Sequence, residues 1–374
     1  IPLRALNFPE TDDGTWGFVA FASSRARQRF VSWPDLRAGG TRVSRYGHLT
    51  ELVELDGRRP LAMLPYLSNG SSLPHTELED GVQRQRPASW ERAIGLDLQM
   101  QPTPGTSLSL ALNPDFAAVE SDQFVFNLTV DELFLPERRP FFVEGTDLFS
   151  TPTRLLYTRR IGVDEEIVAG AKLRGRTGDG ATWGVLSATT GNGFDAGHQY
   201  TAARLKRGIL GSSSVGLLLV SKDRLRGGLA SVNRAGGIDL NWQVSKSTRV
   251  VFTHSRSQRP GEGGNGAEST VDARYNGNLF GPRHWLFLRA TVEDVTPGFD
   301  LDDIGYMPGS RIDRRGASGR LRYAWKPSGR LREIAIMPVA WRYRDHTGQL
   351  RTQDGASLEL SAMTAGRVRP SLLL

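Results

Sequence analysis

The chain of 374 residues contains no cysteine. Disulfides and thiolate metal sites are therefore excluded, and cysteine usage leaves the compartment open. Lysine is scarce as well: five of the 47 basic residues are lysines and the rest are arginines. No apolar run approaches the ~20 residues of a membrane-spanning helix, and helical periodicity is almost absent. The six histidines (His48, His75, His198, His254, His284, His346) show no metal-ligand spacing. No metal and no cofactor is expected. The stretch "GRTGDG" (175–180) lacks the Gly-Lys-Ser/Thr ending of a phosphate loop and reads as a hairpin turn.

Net charge is +7. A nucleic-acid binder gathers its basic residues on one face or helix. Here arginines are spread through every segment and interleaved with acids, so no nucleic-acid partner is expected.

What recurs is alternation with a period of two. In "IGLDLQMQ" the apolar positions are Ile94, Leu96, Leu98 and Met100, set against Gly95, Asp97, Gln99 and Gln101. "GIDLNWQV" sets Ile238, Leu240, Trp242 and Val244 against Gly237, Asp239, Asn241 and Gln243. "HWLFLRATVED" sets Leu286, Leu288, Ala290 and Val292 against Phe287, Arg289, Thr291 and Glu293. Strict alternation means strands with one apolar and one wet face. Between them stand turn signals such as "PTPG", "TGDG", "GNG", "KPSG" and "DHTG". From about Trp90 onward the chain reads as successive antiparallel hairpins, one strand being expected over 311–325. Residues 67–88 read as a polar loop before the hairpins begin.

The wet face decides between architectures. It carries Asp97, Gln99, Lys172, Arg174, Asp239, Asn241, Arg320 and Arg322, too many charges for a dry barrel interior. Either the charges lie outside a sandwich with an apolar core, or the apolar face meets lipid and the charges line a wet lumen. Trp183, Trp242, Trp285, Trp325, Trp341, Tyr323 and Tyr343 fall near strand ends, which suits interfacial girdles. The expectation is therefore an all-β fold, in which these aromatics favour a large antiparallel transmembrane β-barrel and leave the sandwich open. Leu96, Leu98, Ile238, Leu240, Leu286 and Leu288 should face lipid, and Asp97, Asp239 and Arg289 the lumen.

One stretch breaks the pattern. "LFLPERRPFFVEG" (133–145) crowds acids, arginines and phenylalanines between plain strands. Pro114, Pro136 and Pro140 each remove a ladder donor, so 114–150 is expected to be a non-strand plug or clasp. Its charges offer two readings. Glu137 and Glu144 are a candidate carboxylate pair for glycoside hydrolysis, in a soluble hydrolase. Adjacent arginines, however, depress carboxyl pKa values, which is wrong for a general acid. The preferred reading is a structural clamp of Arg138, Arg139, Arg159 and Arg160 against Glu120, Asp122, Glu137, Glu144 and Asp147. "NLT" at Asn127 fits a glycosylation acceptor only by coincidence.

The central run also resembles a known family. "NPDF" (113–116), Glu120, Asp122, Asn127, "PERRPFF" (136–142), Glu144 and Gly145 carry the resemblance. "YTRRIG" (157–162), Gly170, Lys172, Gly175 and Gly178 continue it, and "PGFDLDDIGYM" (297–307) is similar to a later stretch. The family is that of bacterial outer-membrane β-barrels of unknown function (DUF5916-like) that follow a carbohydrate-binding-like, family 9-like β-sandwich. The opening "IPLRALNFPETDDGTWGF" resembles that sandwich's last strands.

The resemblance implies residues 1–36 as a sandwich remnant and 37–374 as an incomplete barrel portion. It further implies the bacterial cell outer membrane, lipid as a partner and a glycan as the candidate ligand, with no established reaction. Together these readings give a non-enzymatic barrel protein for glycan binding, uptake or export. The alternatives are the soluble hydrolase and a soluble all-β binding or adhesion protein. No protein partner is named by the sequence.

Overall fold

The computed structural model describes residues 15–24, 29–34, 46–50, 61–72, 75–79, 82–86, 89–103, 105–114, 126–128, 131–163, 165–192, 195–226, 230–260, 264–327, 329, 331–349, 353–364 and 371–373. The fold is all-β. The first strands are short: β1 (Trp16–Phe18), β2 (Ala20–Ser24), β3 (Arg29–Trp33) and β4 (Gly47–Leu49). They make two separate pairs, β1 with β4 and β2 with β3. Within the expected sandwich remnant, 1–14, 25–28 and 35–36 lie outside the described residues.

Next come β5 (Ala62–Ser72), β6 (His75–Glu79), β7 (Val82–Arg86), β8 (Ser89–Met100) and β9 (Thr106–Leu112). The chain continues with β10 (Glu166–Arg176), β11 (Thr182–Asn192), β12 (Asp195–Ile209), β13 (Ser213–Arg224), β14 (Ala230–Gln243) and β15 (Thr248–Arg259). Last are β16 (Gly264–Asn278), β17 (His284–Val295), β18 (Arg314–Trp325), β19 (Leu331–Arg344), β20 (Gly355–Thr364) and β21 (Ser371–Leu373). Fifteen of these form one antiparallel sheet, running from β5 through β8 to β21, in which each strand pairs with the next. β5 and β21 are its edges. No pairing joins those edges among the described residues.

Two expectations need correction. Residues 67–88 are not a loop, because 67–72 complete β5 opposite Ser89–Ile94 and β6 and β7 form a hairpin. Backbone hydrogen bonds to an alternating partner strand recruit this polar sequence, since strand pairing does not require apolar side chains. The strand expected from 311 begins at Arg314, after a 3₁₀ turn at Gly309–Arg311 and a left-handed Asp313 (φ 52°). The "TGDG" hairpin is present, closed by Thr177 N–H donating to the Ala181 carbonyl (2.8 Å).

Each strand has one inner and one outer face. On β14, Asn233, Ala235, Gly237 and Asp239 are buried, whereas Ile238 and Trp242 are exposed. On β13, Leu218 and Val220 are buried, and Val215, Leu217 and Leu219 are exposed. Register carries the outer row across the sheet: Val215 lies opposite Leu240, then Phe252, Val271 and Val292. Leu96 and Leu98 sit on the same face as Leu112 and Leu110. Among the described residues no second sheet covers this apolar belt.

Successive hairpins alternate between the two edges of the strands. One edge has only short connections, among them 101–105, 177–181, 210–212, 244–247 and 279–283. The two longest, 113–165 and 296–313, both leave the other edge and fold back over the inner face. The core lies between them and the sheet. Phe142, Leu155 and Ile161 of the first loop and Phe299, Leu301 and Ile304 of the second are almost fully buried. Burial of each such side chain is worth ~1.5–3 kcal/mol.

Small inner residues make room for this packing. A Cβ on Gly170 would lie 2.8 Å from the Phe141 ring, and one on Gly237 would lie 2.8 Å from Leu155. At Gly266 the fit is tighter, because a Cβ would come within 2.0 Å of the Phe299 backbone nitrogen. Gly266→Ala is therefore expected to lift the 296–313 loop, destabilising the protein by ~1–3 kcal/mol. Limited proteolysis should then cut within that loop at protease concentrations that leave the parent intact.

Candidate functional site

The described part of the first loop, 131–163, contains no strand. It holds α1 (Pro140–Val143) and two 3₁₀ turns, at Thr146–Leu148 and Thr158–Arg160. Pro140 sits at the start of α1, where its missing N–H costs nothing. Gly145 ends the helical turn in the left-handed region (φ 68°) and sends the chain toward the sheet.

Glu137 is the hub. Its Oε1 accepts the backbone N–H groups of Arg138 (3.0 Å) and Arg139 (2.9 Å) and the Arg139 Nε–H (2.9 Å). Its Oε2 accepts from Arg139 Nη2 (2.7 Å) and the Thr158 hydroxyl (2.7 Å). Arg139 then donates to the carbonyls of Ile161 (2.7 Å) and Thr158 (2.6 Å), and its guanidinium lies 4.4 Å from the centre of the Phe142 ring. The pair is buried, with side-chain exposures of 13% and 8% for Arg139 and Glu137. Burial works to raise the Glu137 carboxyl, but Arg139 and Thr158 outweigh it and hold it below its ordinary value.

Glu144 turns the other way. It binds Arg174 Nη2 (2.6 Å) on β10 and accepts from Gln99 Nε2 (2.9 Å) on β8. Lys172, 1% exposed, donates to the carbonyls of Phe141 and Glu144. Arg204 on β12 pairs with Asp239 on β14 through both oxygens (2.5 and 3.1 Å) and donates its Nε–H to the Leu148 carbonyl (3.1 Å). The loop is thus tied directly to β8, β10 and β12, and through Arg204 to Asp239 on β14.

Of the charged residues predicted as clamps, Glu137 and Arg139 come together. Arg138 adds its backbone N–H. Arg159 donates to the Pro136 carbonyl (2.8 Å), and Arg160 binds Glu132 (2.5 Å), a carboxylate outside the predicted set. Glu144 is held by Arg174 because Gly145 redirects the chain. Asp147 is exposed and makes no ion pair among the described residues. Glu120 and Asp122 lie outside the described residues.

The second loop was visible in the sequence only as a resembling stretch. It interlocks with the first. Tyr157 N–H donates to the Ile304 carbonyl and Tyr306 N–H to the Arg154 carbonyl (2.9 Å each). Tyr306 OH donates to the Glu132 carbonyl (2.7 Å), and Asp131 accepts from Ser310 (2.9 Å). Phe134, Tyr157 and Tyr306 close an aromatic triangle with centroids 5.1–5.6 Å apart. Arg259 of β15 and Lys222 of β13 hold Asp300 and Asp303.

Beyond the loops, the inner face of β16–β19 is charged. Asp272 accepts from Arg274, Arg289 (2.5 Å) and Thr291 (2.9 Å). Glu293 pairs with Arg314 (2.6 Å) and Arg311 (3.1 Å). A cavity of about 400 Å³ opens here, lined by Arg289, Glu293, Arg314, Arg320, Trp341 and Tyr343. The strand-end aromatics divide accordingly. Trp183, Trp242, Tyr323 and Trp325 share the outer face at the short-turn edge, whereas Trp285, Trp341 and Tyr343 share the face of the charges. The alternation is responsible: a one-residue step moves a side chain to the opposite face.

No group of three or more His, Asp or Glu residues able to hold a metal exists among the described residues. His346, in the connection 345–354, instead bridges Asp313 (2.8 Å) and Asp294 (2.9 Å). Burial works to lower its pKa, but the two carboxylates dominate and raise it. A raised folded-state pKa means that this contribution to stability is complete below the ordinary histidine value of about 6.5. It is lost as pH rises through the raised value. His346→Gln should flatten the dependence of stability on pH in that window, as read from denaturant midpoints; an unchanged profile would refute the bridge.

Residues 59–167 match a domain of unknown function, DUF5916. The match runs from just before β5 into the start of β10 and takes in Glu137, Arg139 and Glu144. No curated protein and no solved structure matches the chain.

Proposed function

We propose that this protein is a bacterial outer-membrane β-barrel protein with an internal plug and a wet, charged lumen, and that it binds or passes polar solutes such as glycans without catalysing a reaction. The observation that carries the reading is the sidedness of the fifteen-stranded sheet. One face presents Leu219, Ile238, Val271, Val292 and Ile336 to the exterior, and the other carries the charges and the two interlocked loops. In water such a belt costs free energy on every strand; in lipid it is the required surface. Unpaired backbone at β5 and β21 would have to find partners in lipid, from each other or from further strands. The polar lumen and its plug then resemble the interior of a plugged barrel.

The hydrolase reading is the weaker one. A glycosidase acid must keep its proton at neutral pH, whereas Arg139 and Thr158 hold the Glu137 carboxyl below its ordinary value. Reconstitution tests the proposal. The protein should require detergent, shift mobility between boiled and unboiled samples, and insert into liposomes with its strands protected from protease. A monodisperse protein in plain buffer, unaffected by lipid, would overturn it. Cleavage of any member of a glycan panel would overturn the non-enzymatic part.

A further inference from the structure

The inner wall of β15–β18 carries a feature that neither the core nor the plug requires. Arg249 lies directly opposite Arg274, Arg274 opposite Arg289, and Arg289 opposite Arg320. Four arginines therefore form one cross-strand row on the charged face. Like charges directly opposite one another destabilise a sheet, and neighbouring strands are only ~4.8 Å apart. Asp272, in the adjacent row, is shared by Arg274 and Arg289, and Arg249 donates to the Asn241 side chain (2.7 Å). Arg320 is exposed and makes no ion pair among the described residues. Arg274 and Arg289 remain 42% and 44% exposed despite their pairing.

From this row we infer an anion site: a binding track for small solutes bearing carboxylate, phosphate or sulfate groups. Its open end is the cavity in which Arg289 and Arg320 stand beside Trp341 and Tyr343, with Thr291 and Ser318 as further hydroxyl partners. Guanidinium forks match the geometry of such oxyanions through paired N–H groups, and rings of arginine favour anion passage through pores. Glu293 also lines the cavity, but Arg314 and Arg311 already hold it. An anion arriving at Arg320 therefore meets surplus positive charge. This inference rests on the barrel reading for the direction of passage but not for binding.

Two measurements keep the two readings distinguishable. Calorimetry on the detergent-solubilised protein, with inorganic pyrophosphate as the probe, tests the site itself. Arg320→Gln and Arg289→Gln should each weaken binding about tenfold, the worth of one charge-assisted hydrogen bond. Arg315→Gln, on the opposite face of β18, should leave binding unchanged. Because Arg320 holds no carboxylate, its variant should fold as the parent does, which circular dichroism checks. In planar bilayers with a potassium chloride gradient, the reversal potential of the parent should report anion preference, reduced in the Arg320→Gln protein. Pyrophosphate binding that is absent, or equal in the parent and Arg320→Gln, overturns the inference, as does a cation-selective parent. Arginine-dependent binding without bilayer insertion sustains the anion site and defeats the barrel reading.

Discussion

Arg139→Met is expected to destabilise the folded protein by ~3–5 kcal/mol, the cost of stranding one partner of a buried ion pair. The carboxylate of Glu137 would lose two side-chain hydrogen bonds and keep only the backbone N–H groups and the Thr158 hydroxyl. The carbonyls of Thr158 and Ile161 would lose their donors as well. The 3₁₀ turn at Thr158–Arg160 would then come away from the Pro136–Phe142 stretch, and with it Tyr157, which bonds to the second loop through Ile304. Thermal or denaturant unfolding of the parent and variant reads the loss. The companion Glu137→Gln should cost less, because the amide oxygen can still accept from Arg139, whose guanidinium also keeps the carbonyls of Ile161 and Thr158.

Acid provides an independent check. The folded-state pKa of Glu137 is lowered, so its contribution is present above the unfolded carboxyl value and is lost as pH falls through the lowered value. Glu137→Gln should remove that part of the acid sensitivity. Equal stability of the parent and Arg139→Met at neutral pH would show that the hub is not buried in solution.

Leu240→Arg is the second large effect. Leu240 sits in the outer row between Val215 and Phe252, with Val271 and Val292 continuing it. If this row meets lipid, an arginine near the bilayer midplane costs ~2–4 kcal/mol. Folding into liposomes should then be impaired by that amount. In a soluble protein the same outer position would tolerate arginine within about 0.5 kcal/mol. A neutral Leu240→Arg in the liposome assay would therefore count against the membrane reading directly.

The sequence by itself determined the sidedness of the long alternating strands. Period-two alternation in "IGLDLQMQ" and "GIDLNWQV" places Leu96, Leu98, Ile238 and Leu240 on one face and Asp97 and Asp239 on the other. The backbone geometry of a strand leaves no alternative. The prolines at 136 and 140 likewise marked a segment that could not be ladder. Local rules sufficed there because the information lies within a few residues.

Only the tertiary structure decided which charges meet. Glu144 goes to Arg174, Arg160 to Glu132, Arg204 to Asp239, and Asp131 to Ser310 across 179 residues. It also decided that four arginines spaced unevenly in sequence stand in one row. Each of these depends on strand register and on how two loops fold back across the sheet. Register aligns positions by distance from each hairpin turn, so it joins residues whose separation in the chain carries no trace of their contact.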